Sequence, residues 1–296
     1  MKAINRRSFI GATLAGAAVP VLDTGAAQNP EAAGDGVSVT KDVVFGKGGD
    51  MELKLDIYRR PSGPAKRMAM IHFHGGGFTG GSKNALAERI RLFASLGYVT
   101  IAAQYRLSGQ AGYPALIHDA KAAIRWVRAH AGELDIEPQR IGVAGYSAGG
   151  YLALFTAGTP DRPEFEGNGG NPGVSSKVAT CLLYYPATNI PSNMLPAGAD
   201  DDARRAANAT TYVTPGFPPT LILHGMKDTT IPIESSQRLV QQLRDVSVPV
   251  EFHAFEGVPH VFDQHPEFAL EGARLADLFM ERHVVNPRIY PPFQRP

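Results

Sequence analysis

Ser147 stands in Gly145-Tyr146-Ser147-Ala148-Gly149-Gly150, directly after the apolar run Ile141 to Ala144 and ahead of a helix-like stretch. A serine flanked by glycines two before and two after, where a strand turns into a helix, can raise its hydroxyl above a sheet as a nucleophile. The next amide then lies at the positive end of the helix, where a developing oxyanion is stabilised. A second loop, His72-Phe73-His74-Gly75-Gly76-Gly77-Phe78, ends an earlier apolar run. Three successive glycines have no packing value and cost backbone entropy. They suit a loop whose N–H groups must approach a reacting atom closely; a flexible turn is the plainer reading. His72 and His74 make a poor metal-ligand pair, with no carboxylate or further histidine nearby.

A serine hydroxyl needs a base, and the base needs an orienting carboxylate. Asp228, in His224-Gly225-Met226-Lys227-Asp228, follows the strand-like run Thr220 to Leu223. His260, in Gly257-Val258-Pro259-His260-Val261-Phe262, follows the run Val250 to Phe255. Both therefore reach the same sheet edge as Ser147, in the chain order Ser, Asp, His. Such a set performs nucleophilic acyl transfer. The rivals are weaker: His253 is mid-strand, His283 is on the terminal helix, and His265 sits in a helix-start run. Asp263 is a secondary candidate for the orienting acid. Asp200-Asp201-Asp202 reads as a solvated loop cluster, with a cation or substrate contact as the alternative.

The elements that must hold these residues alternate. Val43 to Phe45 and Met51 to Tyr58 carry period-two patterns across a Gly48-Gly49-Asp50 turn, which predicts a hairpin. Met68–Phe73, Tyr98–Ala103, Arg140–Gly145, Lys177–Tyr185, Thr220–Leu223 and Val250–Phe255 read as further strands. The continuous apolar run of Met68–Phe73 marks a strand buried on both faces. Helices are expected at Asn84–Leu96, Pro114–His130, Ala148–Thr156, Ile233–Arg244 and Glu267–Arg282. This alternation implies an α/β fold, a mostly parallel eight-stranded sheet with helices on both faces and functional groups at the strands' carboxyl ends. Residues 159–176 and 186–219 escape the pattern and are expected to form an active-site rim or cap.

Composition narrows the function classes. The 296 residues are 44% hydrophobic, which excludes a disordered chain, and Gly 32 with Pro 23 makes it rich in turns. Lys+Arg 29 against Asp+Glu 28 is too balanced for electrostatic nucleic-acid binding. The lone cysteine, Cys181, excludes an internal disulfide and lies in an apolar run, so it reads as a core thiol. Lys2, Arg6 and Arg7 precede the apolar stretch Phe9 to Leu22, and Thr24-Gly25-Ala26-Ala27 offers small residues for cleavage. That stretch is shorter than the ~20 residues a bilayer requires, so no stable membrane span is expected after signal removal. Asn5-Arg6-Arg7-Ser8-Phe9-Ile10 resembles a twin-arginine export signal. The expected organisation is an export signal over 1–27, a linker over 28–38, a catalytic domain over 39–285 and a Pro-rich tail over 286–296. The mature protein is then periplasmic or secreted.

With these residues placed, the chain resembles the α/β-hydrolase family, and within it the esterases related to hormone-sensitive lipase and the bacterial acetyl and feruloyl esterases. The resemblance rests on His74-Gly75-Gly76-Gly77-Phe78, Tyr105-Arg106-Leu107, Tyr113-Pro114-Ala115, Asp119, Gly145–Gly150, His224–Asp228 and Pro259-His260. It implies Ser147 as nucleophile, His260 as base, Asp228 as orienting acid, and Gly76, Gly77 and Ala148 as backbone oxyanion donors. It implies no cofactor and no metal, and a small-molecule or carbohydrate-linked ester as substrate. Tyr146 and Gly109 depart from the hormone-sensitive-lipase type, which has Asp and Pro there and a helical N-terminal cap. The acid loop Asp228-Thr229-Thr230-Ile231-Pro232 is closer to the acetyl and feruloyl type. Phe78, Tyr146, Tyr151 and Phe262 are the aromatic candidates for acyl pocket and rim, with core packing an equal reading for Tyr151. Two alternatives stay open: an amide hydrolase of the arylformamidase or peptidase type, and a ligand-binding receptor on a hydrolase scaffold.

Overall fold

Gly49 and Asp50 turn the chain between strands β1 (Ser38–Gly48) and β2 (Met51–Arg59), which pair antiparallel as the alternating pattern predicts. The computed structural model describes residues 36–63 and 65–291, so the export signal, most of the linker and the last five residues lie outside the described residues. Six more strands follow: β3 (Ala69–Phe73), β4 (Val99–Ala103), β5 (Ile141–Tyr146), β6 (Thr180–Tyr184), β7 (Thr220–Gly225) and β8 (Val250–Phe255). They complete one eight-stranded sheet of order β1-β2-β4-β3-β5-β6-β7-β8. From β4 to β8 every neighbouring pair is parallel. This is the mostly parallel eight-stranded sheet that the alternation implied, and its form agrees with the α/β-hydrolase fold expected from the resemblance.

The continuous apolar strands are explained by their two covered faces. Successive side chains point to opposite sides of a sheet. In β7, Ile222 joins the core under helices α2 (Ala115–Ala129), α3 (Ala148–Gly158) and α6 (Glu234–Asp245). Leu221 and Leu223 point the other way, into the core under α1 (Ala87–Ser95) and α7 (Pro266–Met280). Cys181 is fully buried in the first of these cores, where burial pushes its thiol pKa up. Truncating one such buried leucine to alanine costs about 2–5 kcal/mol.

Four local outcomes differ from expectation. The stretch predicted as one helix from Asn84 opens as a 3₁₀ turn, Lys83–Leu86, before α1 begins. Lys83 anchors that turn by reaching back to Asp56 (2.7 Å) and Asp42 (3.0 Å). Residues 159–176 contain a short helix α4 (Pro163–Glu166) fastened to the flank of α2: Glu166 receives Lys121 at 2.7 Å and Arg125 at 2.6 Å. Residues 186–219 contain α5 (Asp201–Ala206) between two 3₁₀ turns. The Asp200–Asp202 cluster is therefore a helix start and not a plain loop. Asp200 caps the Ala203 N–H at 2.8 Å, and Asp201 and Asp202 pair with Arg204 and Arg205. Acidic residues at a helix start complement its dipole. No helix of the described residues is long and apolar enough to cross a membrane.

Candidate active site

The turn from β5 into α3 places Ser147 at φ 54°, ψ −116°, a conformation that L-residues rarely adopt. The neighbours that hold it there are backbone groups. Ser147 N–H donates to the Tyr184 carbonyl at 3.0 Å, and its own carbonyl accepts from Gly150 and Ala187. The flanking glycines are required by close approach: a Cβ on Gly149 would lie 2.0 Å from the Phe73 carbonyl oxygen, and one on Gly145 2.0 Å from that of Gly149. The first turn of α3 can therefore lie against the ends of β3 and β5 only if these positions are bare.

The glycine loop after β3 lies directly against this turn. A Cβ on Gly75 would sit 3.2 Å from the Ser147 Cβ. Gly76 has φ 126° and closes the loop by accepting from Thr79 and Gly80. His74 braces the loop from behind. Its Nδ1 faces the Gly75 carbonyl at 2.7 Å, so that nitrogen carries the proton, and its ring stacks on Tyr105. Tyr105 O–H in turn donates to the His74 carbonyl at 2.6 Å. The next residue, Arg106, grips Asp119 of α2 with two side-chain bonds of 2.8 Å, which fixes the 105–107 stretch to the helix.

His260 and Asp228 arrive from the two strands beyond. His260 Nε2 lies 2.9 Å from Ser147 Oγ, and His260 Nδ1 lies 2.6 Å from Asp228 Oδ2. Because Nδ1 faces a carboxylate it holds the proton, which leaves the Nε2 lone pair to accept from the serine hydroxyl. Asp228 is itself held: its Oδ1 accepts the N–H groups of Thr230 (2.8 Å) and Ile231 (2.9 Å). The two loops are zipped together by Met226 N–H to Phe255 and Lys227 N–H to Val258. Gly225 makes that crossing possible, since a Cβ there would meet the Val258 oxygen at 2.3 Å.

The structure thus brings Ser147, His260 and Asp228 together and leaves the rivals elsewhere. His253 faces Glu251 on β8, and His265 precedes α7. His283 lies in the π-helical turn Glu281–Val285 that follows α7. Asp263 is not the partner of His260 Nδ1; it is buried and ion-paired with Arg89 at 2.7 Å. Burial pushes its carboxyl up, opposed by the Arg89 charge and by the Tyr185 hydroxyl that donates to it.

Two aromatic candidates are corrected. Tyr146 shares the strand face of Ala144 and is buried in the α1/α7 core, stacked 4.6 Å from Tyr184 beneath Arg89. Phe262 is fully buried in the same core among Tyr185, Phe255 and Phe268. Phe78 is the one beside the glycine loop, edge-on to Tyr151 at 5.6 Å in the opposite core. The residue that sequence reasoning missed is Tyr185, whose ring meets His260 edge-on at 4.5 Å. Its position one residue past β6, on the same sheet edge as Ser147, is the signal that could have found it.

The BD-FAE family pattern matches residues 55–243, well over half of the chain. The chain is similar to the "Probable carboxylic ester hydrolase LipM" of Mycobacterium tuberculosis, at 29% identity over 82% of this chain and 62% of that protein. It spans about three-fifths of the length of the curated relatives it matches first. Among solved structures it is similar to Thermogutta terrifontis esterase 2 phosphoramylated by tabun, with TM-score 0.74 and 29% identity over 88% of this chain and 98% of the other. The same esterase with propionate bound aligns at TM-score 0.72 and 30% identity, covering 86% and 97%. Motifs, sheet order and these likenesses agree: the chain belongs to the BD-FAE family, on an α/β-hydrolase fold.

Proposed function

We propose that the protein is a serine carboxylic-ester hydrolase that works through an acyl-enzyme, with short-chain acyl or carbohydrate-linked acetyl and feruloyl esters as substrates. The observation that carries this reading is the unbroken hydrogen-bonded chain Ser147 Oγ, His260, Asp228. Ser147 attacks the ester carbonyl carbon while its proton passes to His260 Nε2. The imidazolium so formed is stabilised by Asp228, whose position two backbone N–H groups fix. The carbonyl oxygen, now an oxyanion, rests on the amides of Gly76, Gly77 and Ala148. His260 returns the proton to the leaving alcohol, then takes one from the water that attacks the acyl-enzyme and hands it to Ser147 Oγ as the acid departs, which restores the starting state. Each oxyanion donor in such a site is worth roughly 10² to 10³ in turnover.

The likeness to an esterase that takes up propionate and an organophosphorus group supports both a short acyl portion and a covalently reactive serine here. Ser147→Ala is expected to lower kcat for p-nitrophenyl acetate by roughly 10⁵- to 10⁶-fold with the fold retained. Retained hydrolysis sinks the assignment. Activity along a p-nitrophenyl series from acetate to decanoate is expected to peak at the short end, and acetylated xylan and methyl ferulate test the carbohydrate-linked class. We also place the mature protein outside the cytoplasm, after cleavage near Ala27. Replacing both Arg6 and Arg7 by lysine is expected to hold the full-length precursor inside the cell, and normal export of that variant would refute the twin-arginine route.

A further inference from the structure

His224 belongs to the motif that ends on Asp228, yet the acyl-transfer scheme above gives it no part. It is fully buried at the carboxyl end of β7, and all its polar atoms are engaged. Nε2 lies 2.9 Å from the Ile231 carbonyl oxygen and 3.1 Å from Asp228 Oδ2. Both neighbours are acceptors, so Nε2 must carry the ring proton. Nδ1 then offers its lone pair, and the group 2.8 Å away is the hydroxyl of Ser236 on α6, which therefore donates to it. Burial holds the His224 pKa below the usual imidazole value, in keeping with a neutral ring.

The consequence reaches Asp228 by two routes. His224 pins the Ile231 carbonyl, and the Ile231 amide pins Asp228 Oδ1 at 2.9 Å, so one peptide turn is held from both sides. The same ring N–H stands beside Oδ2, the oxygen that His260 uses. A neutral ring does this without competing: an imidazolium there would set a second cation against the carboxylate that must stabilise the His260 imidazolium.

We propose that His224, oriented by Ser236, is a positioning residue that fixes the 228–231 turn and with it the carboxylate facing His260. The proposal rests on the reading of Ser147, His260 and Asp228 as the catalytic set. A turn displaced by about 1 Å costs on the order of 10²-fold in rate, because the imidazole follows its carboxylate.

The test compares kcat, KM and thermal midpoint of the full-length protein with those of His224→Leu, His224→Gln and Ser236→Ala, using p-nitrophenyl acetate. Ser147→Ala is run alongside; if it keeps its activity, the catalytic reading itself has failed, whatever His224 does. Leu is expected to lower kcat by about 10- to 100-fold with KM within about twofold. Gln can place an N–H where Nε2 stands and is expected to recover most of that loss. A purely structural role predicts no such rescue. A Leu variant within about twofold of the parent kcat, or a Gln variant as slow as Leu at the same thermal midpoint, overturns the proposal. Should Leu fail to fold, Ser236→Ala decides: a fall of about threefold in kcat at constant KM supports it, and an unchanged kcat overturns it.

Discussion

At the scale of single residues, the site is built as much from absent side chains as from present ones. Ser147 keeps its positive φ because backbone bonds from Tyr184, Gly150 and Ala187 outweigh a strain of about 1–3 kcal/mol. Gly225 is the less obvious case. It carries no chemistry, yet the His260 loop crosses it with the Val258 and Pro259 oxygens within 2.3 and 2.8 Å of where a Cβ would stand. Gly225→Ala must push that loop away from β7. A fall in kcat of about 10-fold or more is expected, with covalent labelling of Ser147 by a fluorophosphonate slowed in parallel. Labelling at the parent rate would show that the loop absorbs the methyl group elsewhere.

At the scale of elements, what was legible and what was not has a physical division. The inner strands β3, β5, β6 and β7 could be read because burial on both faces leaves them largely apolar, and the hairpin strands β1 and β2 from their alternation. The placements of Ser147, Asp228 and His260 followed from the strand ends. Tyr146 could not be placed that way. Whether it faces the substrate side or the core depends on the alternation of β5 about Ala144, which a sharp turn immediately afterwards conceals. The short helices divide similarly. α5 carries its own signal, an Asp200 cap and two acid–arginine pairs three residues apart. α4 does not, because its anchor is on another element: Glu166 meets Lys121 and Arg125, both buried on α2. Glu166→Gln leaves those two cations without their carboxylate and is expected to cost about 3–5 kcal/mol. The urea midpoint measures it, and a shift below about 1 kcal/mol would mean that the backbone carbonyls around these cations suffice.

At the scale of the whole molecule, several buried imidazoles give folding a pH dependence of definite sign. Burial lowers the pKa of His72 to about 3, and it lowers those of His74, His224 and the half-buried His118 as well. Below about pH 6.5 each takes up a proton on unfolding, because an imidazole in the unfolded chain titrates near that value. Their contribution is therefore complete above about pH 6.5 and is lost as the pH falls towards the folded-state values. Asp263, raised by burial, works in the opposite sense. The thermal midpoint is expected to drop between pH 7 and pH 5, with a shallower slope in His72→Leu. A midpoint flat across that interval would contradict the neutral, buried state of these rings.

The sheet order also separates the moments at which the reacting groups come into being. Ser147 and its glycine neighbours depend on β3, β5 and β6, whereas His260 lies 113 residues further along the chain and needs β7 and β8 docked. Contacts so distant in sequence close slowly, after local structure has formed. During synthesis the serine turn therefore leaves the ribosome well before the base that would activate it. Under the proposed function, hydrolysis begins only when the last parallel strands join the edge of the sheet, so turnover is a clock for the completion of folding. During refolding from denaturant, helical signal is expected to return before enzyme activity.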